Sequence, residues 1–203
     1  MRLKYFPHIL AAFVCSLAVA ASSQALAPGN EYGLPITVGA GVGSFNPDFD
    51  NGRMLAGTLW INFKVPLPPV LDGLGFEIEG QDIAFNPNHA QTVGHIKEEV
   101  LSGGVTYSRW DFHRVHPYGK VLMGYGNADY PTRTGFYHQT RTVTTFGGGL
   151  TYPVLPAISL RAEYEYQYWP DFWIGANPNG APLNPSGFTI GATYQLSSLF
   201  RHF

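Results

Sequence analysis

The sequence is poor in cysteine, in charged residues and in long apolar runs, and each shortage excludes a class of protein. Its one cysteine, Cys15, lies in an apolar stretch close to the N-terminus, so the rest of the chain can form neither a disulfide framework nor a thiolate metal site. Charged residues make up 13% of the 203 residues, about half the share that is usual in soluble domains. Beyond residue 27 no window reaches the roughly 18 apolar residues that a spanning helix needs. If the chain enters a membrane, it therefore does so as β-strands.

The first 27 residues have the three parts of a secretory signal peptide. Two basic residues precede an apolar stretch that is too short to span a bilayer, and the small residues of ASSQALA (21–27) follow. Cleavage is expected after Ala25 or Ala27, with a slight preference for Ala25 because the alternative leaves a proline at the new N-terminus. Residues 1–27 are therefore predicted to be a signal peptide, and residues 28–203 a single exported domain.

The exported part carries a small excess of negative charge. Loss of Arg2 and Lys4 leaves 10 basic residues against 14 acidic ones, a formal charge of −4. Proteins that bind nucleic acid neutralise its phosphates with lysine and arginine. We therefore expect no nucleic-acid partner.

Eight segments of the exported part alternate between apolar and other residues at every second position. This period is typical of β-strands that have one apolar face. The segments are 34–44, 53–65, 74–85, 98–109, 117–126, 142–152, 157–168 and 187–196. They predict an antiparallel sheet with one face in an apolar medium.

The connections between these segments alternate in length. Four of them are mostly long and rich in Asn, Pro and Gly: 46–52, 86–96, 127–141 and 169–186. Three are shorter and centred on Pro or Asp turn residues: 66–73, 111–116 and 153–156. Short turns at one end and long loops at the other are typical of transmembrane barrels. The expected fold is all-β, an eight-stranded antiparallel up-and-down transmembrane β-barrel with its short turns in the periplasm.

Alternation alone does not separate a soluble barrel from a membrane barrel, because both have one apolar face. The other face decides, and in the first segment it consists of Thr37, Gly39, Gly41 and Gly43. A water-facing exterior would carry lysine and glutamate, whereas small residues suit the narrow interior of an eight-stranded barrel. We therefore expect the apolar face to meet lipid and the other face to line the lumen.

Most charged residues within the segments lie on the lumen face. The residues predicted to form an ion-pair network there are Lys64, Glu77, Glu79, Lys120, Arg161, Glu163 and Glu165. Four carboxylates and three cations are nearly balanced, and in a poorly hydrated interior they should pair with one another. An open charge-selective pore would show an excess of one sign, so a filled lumen is favoured over a conduit.

Aromatic residues gather near the ends of the segments, as in the two girdles of a membrane barrel. The residues predicted for the periplasmic girdle are Trp110, Phe112 and Tyr118, and those for the outer girdle are Tyr166, Tyr168, Trp169 and Trp173.

Two stretches near the C-terminus, LRAEYEYQYWP (160–170) and GFTIGATYQL (187–196), look like paired last strands of a known barrel type. With the eight-segment layout, the chain resembles the small eight-stranded outer-membrane barrels of the OmpA/OmpX-like kind, the outer membrane protein β-barrel domain family. The resemblance covers the chain from about residue 34 to the end. It implies a protein of the bacterial outer membrane, in contact with outer-membrane lipids.

The eighth segment also matches the polar-x-Gly-x-x-aromatic-x-hydrophobic signal that the barrel-assembly machinery reads. The matching residues are Thr189, Gly191, Tyr194 and Leu196. The match implies that this machinery is a partner during biogenesis. Family members commonly end on an aromatic residue within this strand, whereas SSLFRHF (197–203) continues here. If Phe203 provides the signal instead, the eighth strand is longer than we predict.

One short motif suggests an enzyme. Phe136-x-His138-x-Thr140 resembles the Phe-x-His-x-Ser-Asn stretch of the PagL-like lipid A deacylases, in which a histidine base stands beside a hydroxyl nucleophile. Here Arg141 replaces the Asn, and the next carboxylate along the chain is Glu163 on another strand. A polar loop is the preferred interpretation, so we expect no catalytic site.

No metal or cofactor site is predicted either. Asp48, Asp50 and Asn51 precede Gly52, but their spacing is not that of an EF-hand, and an Asx-rich turn is the better interpretation. The other histidines, His89, His95, His113, His116 and His202, lie in connections or at the tail. We interpret them as solvated or interfacial.

These features predict a barrel with a structural or surface role in the cell envelope, and they leave two alternatives open. One is a narrow channel for ions or small solutes, and the other is a lipid A acyl hydrolase-like enzyme that uses His138. We expect a monomer, with an unidentified ligand as a further partner of the outer loops.

Overall fold

The computed structural model describes residues 36–48, 53–64, 73–84, 97–108, 112–132, 135–172 and 181–196. These ranges contain nine strands: β1 (Ile36–Asn46), β2 (Met54–Lys64), β3 (Leu74–Ala84), β4 (Lys97–Tyr107), β5 (His116–Thr132), β6 (Gly135–Leu155), β7 (Ile158–Phe172), β8 (Ala181–Leu183) and β9 (Ser186–Gln195). No helix in them is long and apolar enough to cross a bilayer. The predicted signal peptide lies outside the described residues.

Eight of the strands close into an antiparallel barrel, which confirms the predicted fold. Each of β1 to β6 pairs with the next strand, β6 pairs with β7, β7 with β9, and β9 with β1. The short β8 pairs with the end of β7 and adds nothing to the closed ring. We call the end where β2 gives way to β3 the inner end of the barrel, and the opposite end the outer end.

The predicted bounds of the first four strands and of the last strand agree with the structure to within three residues. The prediction for 127–141 is wrong. That segment was expected to be a long outer loop because of its Asn, Asp, Gly and Pro content, but β5 and β6 pair through it from Asn127↔Thr140 to Thr132↔Gly135. Cross-strand contacts outweigh intrinsic preference here, and the Thr140 hydroxyl donates to Asn127 Oδ1 at 2.7 Å.

Likewise the connection 169–186 is shorter than predicted. Its first residues extend β7 to Phe172, and β8 occupies Ala181–Leu183. The backbone N–H of Gln167 donates to the carbonyl of Pro185 at 2.8 Å, which joins the β7–β9 ladder to the β7–β8 pair.

The exterior of the barrel is apolar. Large side chains at alternate positions are exposed on every barrel strand, and Leu55, Met123 and Tyr125 have 62%, 67% and 68% of their surface exposed. Soluble monomers rarely expose contiguous apolar patches of more than a few hundred Å². This surface is therefore built for an apolar medium, as the alternation predicted.

Glycines on the inward face make room for large rings. A β-carbon on Gly39 would lie 2.3 Å from Trp60 Nε1, and one on Gly187 would lie 2.3 Å from Phe45 Cγ. Trp60 and Phe45 are both buried inside the barrel. The small residues that were expected to line a narrow lumen therefore stand opposite bulky ones, and the interior is filled by side chains.

Candidate functional site

Six charged side chains meet inside the barrel. They are Glu77 and Glu79 on β3, Lys120 on β5, and Arg161, Glu163 and Glu165 on β7, and all are buried. In the closed ring β3 and β7 stand opposite each other and β5 stands between them. Because strand residues two apart share a face, the three strands direct these residues to one region of the lumen. We call these six residues the charged cluster.

Lys120 lies at the centre of the charged cluster. Its Nζ is 2.5 Å from Glu79 Oε2, 2.8 Å from Glu163 Oε1 and 3.5 Å from Glu77 Oε1. It also pairs with Glu165 Oε1. One ammonium group therefore contacts four carboxylates that come from two opposite walls.

Arg161 forms the second centre. Its Nη1 and Nη2 bind Glu77 Oε2 and Oε1 at 2.7 and 2.8 Å, a two-pronged contact across the lumen. Its Nη2 also pairs with Glu163. The guanidinium lies 4.5 Å from the ring centroid of Trp60 and 4.7 Å from that of Tyr118. Planar stacking and fork-like pairing are contacts that arginine makes and lysine does not.

Neutral side chains extend this network, and two of them, Gln81 and Thr106, were missed in the sequence. Asn62 Nδ2 donates to Glu77 at 3.2 Å and to Thr106 Oγ1 at 3.1 Å. Gln81 Nε2 donates to Glu165 Oε2 at 2.9 Å, and Gln167 Nε2 donates to Gln81 Oε1 at 2.5 Å. All four lie at the inward-facing alternate positions of their strands, as the charged residues do, and this alternation is the signal that could also have identified Gln81 and Thr106.

One predicted member does not join the cluster. Lys64 is the last residue of β2, its side chain is exposed, and it is in none of the ion pairs formed within the described ranges. At the rim of the barrel a lysine reaches water more easily than it reaches a partner inside. The cluster therefore has four carboxylates and two cations, rather than the near balance that was expected.

Glu79, Glu163 and Glu165 bring carboxylate oxygens within 4.8 Å of one another, an arrangement that can hold a metal ion. Lys120 Nζ contacts all three. The chain thus supplies its own cation at this point, which argues against a resident metal ion.

Above the charged cluster, toward the outer end, a cluster of buried apolar side chains fills much of the interior. This region, which we call the apolar cap, consists of Phe45, Met54, Ala56, Ile83, Val100, Ala128, Val143, Trp169 and Leu183. Trp169 Nε1 donates to Gln167 Oε1 at 3.1 Å, so the cap rests directly on the polar network. An apolar closure at the outer side thus follows the polar lumen at the inner side, and Glu98, Gln139 and Arg141 are the polar side chains that face inward beside it.

The structure corrects two members of the predicted aromatic girdles. Trp169 has none of its surface exposed and belongs to the cap. Tyr118 turns inward, where its hydroxyl donates to Glu163 and accepts from Arg161 Nε at 2.6 Å. Their parity is that of Glu165 and Lys120, so alternation outweighs the general preference of aromatic residues for the interface.

The other girdle residues have different outcomes. Phe112, Tyr166 and Tyr168 are exposed at 72%, 39% and 40%, which agrees with an interfacial position. Trp110 and Trp173 lie outside the described residues.

His138 and Thr140 of the suggested enzyme motif lie on the outward face of β6. His138 Nδ1 pairs with Asp129 on β5, and both side chains are exposed. Thr140 donates to Asn127. Glu163, the carboxylate that the motif required, belongs to the charged cluster on the inward face. The structure therefore separates His138 from its expected carboxylate and gives it another.

Three residues of the proposed assembly signal lie on β9, and the fourth, Leu196, directly follows it. Thr189 is buried inside the barrel, and Gly191 lies against the Ala40 carbonyl and the Trp60 ring. Tyr194 is on the opposite face, and the N–H of Leu196 donates to the Ile36 carbonyl at 2.8 Å. Residues 197–203 lie outside the described residues, so the length of the final strand stays a prediction.

Of the predicted Asx-rich turn, Asp48 lies within the described residues, whereas Asp50, Asn51 and Gly52 lie outside them. The N–H of Asp48 donates to Asn46 Oδ1 at 3.2 Å, and Asp48 has a φ of 69°. Its Oδ2 accepts from the backbone N–H of Asn184 at 3.0 Å. Asp48 therefore holds two outer connections together.

Comparisons with known proteins agree with this architecture. The structure is similar to Neisserial surface protein A (TM-score 0.59, 13% identity), with 80% of this chain and 97% of that one covered. It is also similar to a major outer membrane protein from Thermus thermophilus (TM-score 0.57, 15% identity, 81% and 100% covered) and to the attachment invasion locus protein Ail of Yersinia pestis (TM-score 0.50, 17% identity, 80% and 97% covered). No curated protein matches the sequence.

At these identities the structural neighbours show the fold alone. The family model of the outer membrane protein β-barrel domain matches residues 11–195, most of the chain. That match, the closed barrel and its apolar exterior confirm the predicted location. The chain belongs to the outer membrane protein β-barrel domain family and is a protein of the bacterial outer membrane.

Proposed function

We propose that this protein is a sealed barrel with a structural and surface-exposed role in the cell envelope. The observation that carries the proposal is the double closure of its lumen. The charged cluster joins β3, β5 and β7 across the interior, and the apolar cap closes the outer half. Within the described residues the β5–β6 hairpin runs on to Thr132↔Gly135 at the outer end, whereas the described pairing of β4 with β5 reaches Lys97↔Asp129. This hairpin would be the surface offered to a partner outside the cell.

A narrow channel is the first alternative, and the contacts of the cluster argue against it. Conduction requires sites that bind ions weakly enough to release them. Here each carboxylate of the cluster is in contact with Lys120 or Arg161, and separating buried partners costs several kcal/mol. An ion would have to displace these internal cations and then cross the cap.

Single-channel recording in planar bilayers tests the sealed lumen. The refolded protein should insert without conductance steps, and so should Glu79→Gln, which alters the cluster. Glu99→Gln on the neighbouring strand β4 is the matched control, because Glu99 pairs with Lys97 outside the charged cluster. Steady conductance whose size or ion selectivity changes in Glu79→Gln but not in Glu99→Gln would instead support the channel.

The acyl hydrolase is the second alternative, and one contact favours it. His138 and Asp129 form a pair on an exposed face, which is the kind of pair that orients a histidine base. The candidate nucleophile is engaged elsewhere, because the Thr140 hydroxyl donates to Asn127. We therefore infer that the protein is not an enzyme.

Incubation with purified lipid A, followed by mass spectrometry of the lipid, checks this inference. We expect no loss of an acyl chain with the unaltered protein. Deacylation that disappears in both His138→Ala and Asp129→Asn, while both variants still fold, would contradict it.

A further inference from the structure

Glu98 on β4 is an anomaly among the buried charges of the barrel. Its side chain is completely buried, and neither carboxylate oxygen has a hydrogen-bond partner. Its register partners are Ile83 on β3 and Ala128 on β5, both members of the apolar cap. An ionised carboxylate in such surroundings is very costly unless it is paired. In this arrangement Glu98 is therefore the neutral acid.

Among the described side chains around Glu98, one is charged and could pair with it. The inward-facing residues of the neighbouring strands at this level are Gln81 and Ile83 on β3, Gly126 and Ala128 on β5, Gln139 and Arg141 on β6, and Gln167 and Trp169 on β7. The remaining cap residues are apolar: Phe45, Met54, Ala56, Val100, Val143 and Leu183. Glu165 lies deeper and is held by Lys120. Within the part of the chain that the structure describes, Arg141 is the one charged group that faces this region.

Arg141 is itself incompletely satisfied. Its Nε is buried and has no hydrogen-bond partner. Arg141 is the register partner of Gly126, and Glu98 is the register partner of Ala128, two residues along β5. The acidic side chain of Glu98 and the basic side chain of Arg141 therefore lie on either side of β5. The arginine side chain is long enough to reach across this strand.

The ring of Trp169 packs against β5, the strand that lies between Glu98 and Arg141. A β-carbon on Gly126 would lie 2.2 Å from Trp169 Cη2 and 2.7 Å from Cζ2, so the ring rests directly on the Gly126 backbone. Removal of the ring from this position would open the space over β5. The Arg141 guanidinium could then reach the Glu98 carboxylate.

We propose that Glu98, Arg141 and Trp169 form a proton-sensitive switch that opens the apolar cap. In the closed state Glu98 is protonated, Arg141 is unpaired at Nε, and Trp169 covers Gly126. In the open state Trp169 has left Gly126, and the Glu98 carboxylate pairs with the Arg141 guanidinium. Opening releases one proton from Glu98 to water, so the open state gains population as the pH rises.

This switch rests on the proposed sealed lumen but differs from a channel gate. The charged cluster lies below the cap and keeps its own pairs in both states. Opening the cap therefore exposes the outer half of the interior to water without making a conduit. Access to the cap and conduction through the barrel are separate measurements.

Cysteine labelling measures that access. The chain beyond Cys15 contains no cysteine, so Ala128→Cys places a single thiol beside Glu98, at a position that is 1% exposed. A water-soluble maleimide is added to refolded protein, and the labelling rate is divided by that of Asn46→Cys, an exposed outer-end residue. The division removes most of the pH dependence of the thiol itself. The normalised rate should rise with pH by up to about tenfold per unit, the limit for release of one proton.

Two matched variants show whether Glu98 and Arg141 cause the rise. In the Glu98→Gln background, which keeps the shape and cannot ionise, the normalised rate should be low and independent of pH. In the Arg141→Gln background the rise should shrink or move to higher pH, because the open state has lost its partner. Val100→Cys, at a 4% exposed cap position, is a second reporter if Ala128→Cys with Glu98→Gln does not fold.

The outcomes are distinct. No rise with the unaltered Glu98, or an equal rise in the Glu98→Gln background, would overturn the switch while leaving the sealed lumen intact. Conductance at neutral pH in planar bilayers would overturn the sealed lumen, whatever the labelling shows.

Discussion

At the scale of single residues, strand parity decides where each charged or aromatic side chain lies. Glu163 and Glu165 could be placed in the lumen from sequence because they alternate with the exposed Leu160 and Tyr164. The same parity places Trp169 inside, against the usual preference of tryptophan for the interface. Parity does not show which charged residues form ion pairs with each other, because the partners of a buried charge come from strands that are distant in sequence. The link between Arg161 and Glu77, 84 positions apart, is of this kind.

Removal of Lys120 should be the most damaging single change in the charged cluster. Its ammonium group contacts four buried carboxylates, and loss of one partner of a buried pair typically costs about 3–5 kcal/mol. We expect Lys120→Met to lower the free energy of unfolding by about that amount, measured by urea titration of the refolded protein. Lys64→Met, the matched control at the exposed end of β2, should change it by less than about 0.5 kcal/mol. Similar losses in the two variants would mean that the cluster contributes nothing specific.

At the scale of strands, the sequence predicts which strands exist and in what order better than it predicts how long each strand is. The first four strands were placed well because segments rich in Pro, Asn, Asp and Gly flank them in the sequence. The hairpin at 127–141 was missed because its Asn, Asp, Pro and Gly residues have low strand preference, although the two strands pair residue by residue from Asn127↔Thr140 outward. Strand preference depends on the partner strand, and a single sequence read in order does not show which residues face each other.

The last strand supports a prediction about assembly. Tyr194 on β9 lies beside β1 and β7, opposite Val38 and Ile158, and the C-terminal signal assigns it the aromatic position. If the assembly machinery reads that position, Tyr194→Ala should slow insertion of the newly exported chain into the outer membrane. The fraction of heat-modifiable protein after a short pulse of expression measures insertion.

Tyr164→Ala is the matched control for Tyr194→Ala. Tyr164 is an outward-facing tyrosine on β7 that is 56% exposed, and it lies outside the signal. Equal delays in the two variants would show that loss of any outward-facing tyrosine has this effect, and that Tyr194 carries no signal.

At the scale of the whole molecule, the usual distribution of residues is inverted. Apolar side chains such as Val42, Ile190 and Leu101 cover the exterior at 72%, 56% and 63% exposure, while ion pairs occupy the interior. The barrel walls and the apolar cap keep water from these pairs. The stability that they provide should therefore be insensitive to dissolved salt, unlike that of pairs on a water-facing surface.

The salt dependence of the unfolding free energy of two variants tests whether the interior ion pairs are shielded from water. Lys97 also joins two carboxylates, Asp82 at 3.2 Å and Glu99 at 2.5 Å, but its side chain is 33% exposed, whereas that of Lys120 is fully buried. At about 1 M salt the screening length falls to roughly 3 Å. The loss of unfolding free energy in Lys97→Met should therefore shrink as salt is added, whereas the loss in Lys120→Met should stay constant. A Lys120→Met penalty that also falls with salt would mean that water and ions reach the charged cluster, which would count against the sealed lumen and in favour of the channel.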